Sequence, residues 1–447
     1  MSRSLILNAF LMSTGHHESS WRLPESDIHA GTDVRHYQHL AQLAEQAKFD
    51  AVFFADSPVV QAPAAQRPIG ALDPVLLLTA IATVTEKIGL IATASTSYNE
   101  PFNLARNFAT LDTISNGRAG WNVVTTAGDA AARNFSAAGQ ADSSGRYARA
   151  DEFLQAAVRL WDSWEDDAVL GDKTNGIWAD PAKVHPAGFK GEHLQVEGPL
   201  NVPRSPQGRP VIIQAGASEA GKDFAARWAE AIFAVHQSLP LAQAFYAETK
   251  ARVASLGRNP EAVKILPGIV PIIGSTESEA LALADELDEL ILPEYSLANL
   301  SHVLHADPAD LHLDRKLPAG LEQLATSEKS TSRRDVVLNL GYGRDLTVRE
   351  IIRELGSGRG HHTLVGTPEQ IADHLEESFT QGAADGFNVM APVLPSGLES
   401  FISHVTPLLR QRGLFREEYE SDTLRGHYGL ERPTSIFADA EEQRLAS

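Results

Sequence analysis

Eight short, β-rich apolar runs alternate with longer stretches of helical periodicity along this 447-residue chain, and that alternation restricts the fold more than any other feature. The spacing predicts strands at 5–11, 51–55, 88–94, 119–124, 210–214, 231–235, 263–273 and 386–390. Helices are predicted at 32–47, 74–85, 102–114, 146–164, 218–228, 241–256, 277–290, 368–381 and 398–412. Strands separated by helices pair in parallel through crossovers. These strands are apolar at consecutive positions, as expected when both faces are covered. Eight such units favour a closed (β/α)8 TIM barrel over an open doubly wound sheet.

The surplus length falls between the units. Residues 56–73 and 125–145 follow strands and are expected as long loops on the carboxyl face, where barrel enzymes carry their chemistry. Residues 165–209, rich in Gly, Pro and Asp, read as an irregular excursion, and 291–367 as the largest insertion. No long linker interrupts the pattern, so one domain over 1–447 with these four insertions is expected. The charged tail from Gly413 is expected to wrap the surface or a second subunit.

Composition excludes several function classes. Lys+Arg number 38 against 58 Asp+Glu, a net charge of −20. Such a chain repels phosphate backbones and anionic lipid, which argues against nucleic-acid or membrane-surface partners. It has no cysteine. Disulfides, thiolate metal sites and a cysteine nucleophile are therefore excluded, in keeping with a reducing cytoplasm. No apolar run reaches the roughly 18 residues of a membrane span. The opening segment is broken by Asn8 and followed by His16, His17 and Glu18, so it is expected to be a buried strand rather than a leader.

Polar residues at the carboxyl ends of barrel strands are candidates for chemistry. Asp56, Thr93, Ser95, Asn122, Gln214 and His236 fall there, and each could equally cap a loop. Gln214-Ala-Gly-Ala-Ser218-Glu-Ala-Gly221 is a small-residue turn from strand to helix. Ser218 suits a helix N-cap, and the exposed N–H groups suit a phosphate. His16-His17-Glu18, after the first strand, is either an active-site element or a plain loop pair. Gly341-Tyr-Gly343 lacks the third glycine and preceding strand of a dinucleotide fingerprint, and no Walker-type sequence occurs. His302, His305 and His312 lack the glutamate of a zincin and read as solvated positions. His361-His362 reads as structural, Val365-Gly-Thr-Pro368 as a helix start, and Trp121, Tyr147, Trp161 and Trp164 as core.

Longer ordered motifs carry a family likeness. They include Asn8-Ala-Phe10, Gly15-His16, Trp21-Arg22, Phe49-Asp-Ala-Val-Phe-Phe-Ala-Asp56 and Thr93-Ala-Ser-Thr-Ser-Tyr98. Ile114-Ser-Asn-Gly-Arg-Ala-Gly-Trp-Asn-Val-Val-Thr125, Asn134-Phe135, Arg146-Tyr147, Ala150-Asp-Glu-Phe153 and Asp385-Gly-Phe-Asn388 continue it. Together they resemble the flavin-dependent monooxygenases of the nitrilotriacetate and dibenzothiophene-sulfone type, within the bacterial-luciferase-like superfamily. Long-chain alkane monooxygenases are similar too. The likeness runs through nearly the whole chain.

The resemblance implies a barrel that binds FMN, received as FMNH2 from a separate NAD(P)H:flavin reductase, with O2 as co-substrate. It implies oxygenation of a small organic molecule at nitrogen, sulfur or an adjacent carbon, often with C–N or C–S cleavage. Matched residue by residue, it places Asp56 and Thr93 against the flavin and Tyr147 and Ser218 at its phosphate, and it makes His16 the candidate catalytic residue, in contact with substrate or peroxide. The family often has a histidine four residues before that tyrosine. Here the position is Ser143, whose hydroxyl could take its place. Ala127 stands where the alkane oxidisers carry a histidine, which counts against an alkane substrate. Relatives are often dimers or tetramers, so a homo-oligomer is expected. The missing nicotinamide fingerprint fits a chain that receives flavin already reduced. Three readings stand beside this one: a deazaflavin (F420) hydride-transfer oxidoreductase of the same superfamily, a flavin-binding protein without turnover, and an unrelated barrel hydrolase.

Overall fold

The computed structural model describes all residues except 1–2, 61–71, 127, 137–138, 140, 217, 324–330, 359 and 439–447. Eight parallel strands close into a barrel. They are β1 (Ile6–Phe10), β2 (Ala51–Phe54), β3 (Gly89–Ser95), β4 (Ala119–Val124), β5 (Val211–Gln214), β6 (Ala231–Ala234), β7 (Lys264–Ile273) and, after one further strand β8 (His362–Gly366), β9 (Gly386–Val389). β6 pairs with β7, β7 with β9, and β9 with β1, which completes the ring. All eight strands expected from the sequence are present.

Helices α1 (Val34–Gln46), α2 (Pro74–Ala82), α3 (Pro101–Ile114), α4 (Asp129–Asn134), α5 (Ser143–Trp161), α6 (Glu219–Trp228), α7 (Leu239–Ser255) and α8 (Glu277–Glu289) follow in chain order. Their starts obey local chemistry. Asp73 caps α2 by accepting from Val75 N and Leu76 N at 3.0 Å, with Pro74 in the first turn. The outer core lies between strands and helices and holds Trp121 and Trp161, as expected.

The barrel lumen has its own core, with Ile6, Phe10, Phe53, Ile91, Ile213, Leu266 and Val270 facing inward. Across it runs a satisfied polar contact: Asn8 Nδ2 donates to Asn388 Oδ1 at 3.0 Å, and Tyr428 OH donates to Asn8 Oδ1 at 3.0 Å. Each buried donor there has an acceptor, so the desolvation cost is offset.

Three expectations change. The tail does more than wrap the surface: Leu424, Tyr428 and Leu430 join the lumen core and close the barrel floor. Gly120 makes room for them, since a methyl there would stand 2.9 Å from Leu424 Cδ2. Residues 165–209 are not irregular throughout; they contain two antiparallel hairpins, Val169–Asp172 with Ile177–Ala179 and Phe189–Lys190 with Gln195–Val196. The stretch before Pro368 hides β8, which pairs in parallel with the upper half of β7. The helix start was read correctly. Thr367 and Gln370 form a capping box at the head of α12 (Pro368–Thr380), after α9 (Pro293–Leu304), α10 (Thr331–Leu338) and α11 (Val348–Gly358) of the insertion.

That insertion has a satellite core of Leu300, Leu304, Leu340, Val348 and Ile351. Among the described residues, no group of three His, Asp or Glu side chains is placed to hold a metal. None of the described helices is long and apolar enough to cross a membrane.

Candidate active site

Register brings the first polar group together. Thr93 on β3 lies opposite Asn122 on β4, and Val123 opposite Gln214 on β5. Asn122 Nδ2 donates to Thr93 Oγ1 at 2.9 Å, which fixes the amide. Asn122 Oδ1 and Gln214 Oε1 are buried and meet no donor among the described residues. Two acceptors left so at a barrel mouth suit a ligand that brings N–H or O–H groups. Asp56, just past β2, stands at the rim; partial burial, and then the nearby Asp73 carboxylate, raise its carboxyl above the usual range. Ser95 builds its own loop instead, accepting from Ser97 N at 3.1 Å. His236 turns away into a pocket it shares with His362 and His374, where burial lowers its imidazole to about 4 and keeps it neutral near pH 7.

The second group forms where β5 runs into α6. Ser218 Oγ accepts from Gly221 N at 3.2 Å, so the N-cap reading of Ser218 holds. Methyls on Gly216 and Gly221 would stand 2.7 and 2.8 Å from the Tyr147 hydroxyl. The glycines thus leave a bare-backbone cradle with one phenol over it. Ser143, Tyr147 and Asp151 follow each other at intervals of four, so they share one stripe of α5. Asp151 accepts from Trp228 Nε1 at 2.7 Å and Arg227 Nη1 at 3.0 Å, which locks that stripe against α6. Tyr147 was expected as core on pattern alone; its ring does pack against the outer core, while its hydroxyl reaches the Gly216–Gly221 loop. Asp151 was not singled out, although it lies inside the Ala150–Phe153 motif.

Ser143 stands one turn before Tyr147, half-buried in the first turn of α5. Ser143→His is expected to retain or strengthen flavin binding, read by fluorescence titration. A folded variant that no longer binds flavin would show that position 143 does not face it. Ala127 lies outside the described residues.

His16 is fully buried. Its Nε2 lies 2.8 Å from the Phe10 carbonyl, and its ring meets the Phe10 ring edge-on at 4.6 Å. It therefore braces the wall beneath the mouth. Loops close over the same face: Asn134 Nδ2 donates to Pro58 O at 2.8 Å, and Tyr98 stacks on Phe135 at 4.7 Å. The loop after β1 is clamped to the large insertion by Glu18 N donating to Gly356 O at 3.0 Å.

Residues 10–386 match the luciferase-like monooxygenase family. The chain belongs to that family. It is 45% identical over 437 residues to the N-acetyl-S-(2-succino)cysteine monooxygenase of Bacillus subtilis (strain 168), covering 98% of this chain and 99% of that protein. It is 43% identical over 450 residues to nitrilotriacetate monooxygenase component A of Aminobacter aminovorans, with coverage of 98% and 99%. Among solved structures, DmoA from Hyphomicrobium sulfonivorans superposes with a TM-score of 0.87 at 32% identity, covering 99% of this chain and 97% of that one. This luciferase-like monooxygenase works with reduced flavin and O2. The F420 hydride-transfer reading is not favoured beside relatives of this identity that are named monooxygenases.

Proposed function

We propose that this chain is the oxygenase component of a two-component system that takes FMNH2 from a separate NAD(P)H:flavin reductase. It oxygenates a small organic substrate at nitrogen, sulfur or an adjacent carbon. The observation that carries the FMN assignment is the cradle of Gly216 and Gly221 beneath the Tyr147 hydroxyl, at the N-terminus of α6. Backbone N–H groups and a helix dipole favour a phosphate there. The open acceptors of Asn122 and Gln214 suit the polar edge of a flavin. The residues present therefore fit FMN: Tyr147 and the Ser218 turn for the phosphate, Thr93, Asn122, Gln214 and Asp56 for the ring system, and Ser143 beside Tyr147. When bound, reduced flavin supplies the two electrons that let one oxygen atom of O2 enter the substrate while the other leaves as water.

The chain's own work is to bind, orient and exclude water. The Thr93–Asn122 hydrogen bond holds the amide in one orientation, so the polar edge it meets is fixed before reaction. The Asn134–Pro58 contact and the stacked Tyr98–Phe135 pair cover the mouth, as protection of a water-sensitive reaction requires. His16 keeps Phe10 in place. A pocket lined by Met12, Thr14, Trp21, Tyr37, Phe54 and Leu77 opens between the loop after β1 and the end of β2, and is suited to part of a small substrate. A homo-oligomer belongs to the same reading.

The chain alone is expected not to use NADH. Protein with FMN, NADH, O2 and a true substrate should give negligible product, and any competent flavin reductase should restore turnover. Rapid NADH oxidation by the purified chain would overturn the two-component reading. No oxygenated product from FMNH2, O2 and a true substrate, in a protein that binds the flavin, would favour a flavin carrier without turnover.

A further inference from the structure

Three strands share the two edges of β7. Ile265 pairs with Ile232 of β6, and Ile269 with both His362 of β8 and Val389 of β9. β8 and β9 therefore lie on opposite edges. Asp385 N, one residue before β9, donates to Ile265 O at 2.8 Å, so β6 lies opposite β9 too. β6 and β8 thus follow one another along a single edge of β7, the first ending at Pro267 and the second beginning at Ile269. Behind that seam, lined also by α7 and α12, lies a cavity of about 20 Å³, room for one water molecule. Pro267, Gly268 and Ile269 line one side, and His236, His362 and His374 bring three imidazoles to it. His236 comes from the loop after β6, His362 opens β8, and His374 belongs to α12.

Among the described residues that line this cavity, none is Asp, Glu, Lys or Arg. The His362 and His374 rings meet edge-on at 4.9 Å, so a proton on one faces the other across a short gap. The His236 ring packs on Phe245 of α7 at 4.7 Å, and its buried Nε2 has no hydrogen-bond partner. Charges on the surrounding elements are engaged elsewhere or cancel. Glu354 of α11 and Arg344 act on His362 with opposite signs. On α7, Glu248 pairs with Lys222 and Arg252; on α12, Asp373 pairs with Arg412. Asp385 is taken by Arg3 and by Lys250. Desolvation therefore dominates. It lowers His236 and His374 to about 4, the latter helped by the neighbouring His362, and it lowers His362 as well.

We infer that this cavity is an acid-sensitive latch: neutral imidazoles hold β8, and with it the end of the large insertion, against β7, and protons taken up there release it. Gln237 Nε2 donates to Gly360 O at 2.6 Å, which ties the loop carrying His236 to the chain that enters β8. Opening hydrates the imidazoles and returns them to the ordinary range near about 6.5. A histidine lowered in the closed state favours closure above that value and loses this contribution as pH falls from about 6.5 toward 4. The open state binds the extra protons, so acid favours it. The latch belongs to the folded chain and does not depend on the flavin reading.

Hydrogen exchange of the full-length protein, read by mass spectrometry on peptides covering 362–366 and corrected for the intrinsic rate, measures the opening. Between pH 6 and 5 the opening constant of β8 is expected to rise about 100-fold, the uptake of about two protons. Residues 89–95 of β3, on the opposite wall, should keep their protection. His236→Leu and His374→Phe fill the cavity with apolar groups; each is expected to cut the rise to about tenfold, and the double variant to a few-fold. Where these fail to fold, His236→Gln and His374→Gln keep polar groups that take up no proton in this range and carry the same expectation. A wild-type rise below about threefold, or a double variant that keeps the wild-type rise, overturns the inference. An equal loss of protection in 89–95 also overturns it, because it marks general acid unfolding rather than a local release.

Discussion

Arg118→Met is expected to lower stability by about 3 kcal/mol, measured as the shift of the urea midpoint at constant slope. The Arg118 side chain is almost fully buried, with 2% of its surface exposed. Its guanidinium donates to the carbonyls of Ser115 and Ile88 at 2.7 Å, Thr85 at 2.9 Å and Ala82 at 3.3 Å, and to the Thr85 hydroxyl at 3.0 Å. Ala82 and Thr85 lie at the C-terminal end of α2 and Ser115 at that of α3, so one cation caps two helices whose last carbonyls lack partners of their own. Methionine fills most of the volume but leaves those oxygens buried and unpaired, at about 1–3 kcal/mol each. Relief of the cost of burying a charge offsets part of this. Arg118→Lys keeps the charge without the planar fork and should recover less than half of the loss. A loss under about 1 kcal/mol for the methionine variant would show that these carbonyls find other partners.

Ser218→Asp is expected to weaken FMN by about 1.5–3 kcal/mol, roughly 10- to 150-fold, and riboflavin far less. Aspartate is as good an N-cap as serine, so α6 should keep its start and its bond to Gly221 N. What changes is charge: a carboxylate replaces a hydroxyl at the turn that borders the Gly216–Gly221 cradle. A phosphate there would be repelled, whereas riboflavin has none. Fluorescence titration of both flavins decides it, with the far-ultraviolet circular dichroism unchanged as the control for folding. Equal losses for the two flavins would move the phosphate elsewhere.

Much of this molecule was legible before its structure. The eight barrel strands appear where consecutive apolar residues predicted them, because burial on both faces is written into each short segment. Ser218 before α6 and Pro368 at the head of α12 announced helix starts through signals that need only a few neighbouring residues. The polar strand ends Thr93, Asn122 and Gln214 were likewise visible, since strand direction alone sends them to the carboxyl face. β8 escaped because five residues, half-buried and partly polar, carry too weak a period beside a strong helix start.

What the sequence by itself determined, then, is the alternation of elements, their caps, and which residues reach the catalytic face. Only the tertiary structure decided which of those residues meet. Tyr147 stands over Gly216, Arg118 reaches Ala82, Tyr428 closes the floor beside Asn8, and His361 fills the place of a side chain at Gly268. None of these pairs is joined by a local period. Each depends on the ring closing between β9 and β1 and on where the insertions land, and a barrel's closure is a property of all its strands together rather than of any one segment.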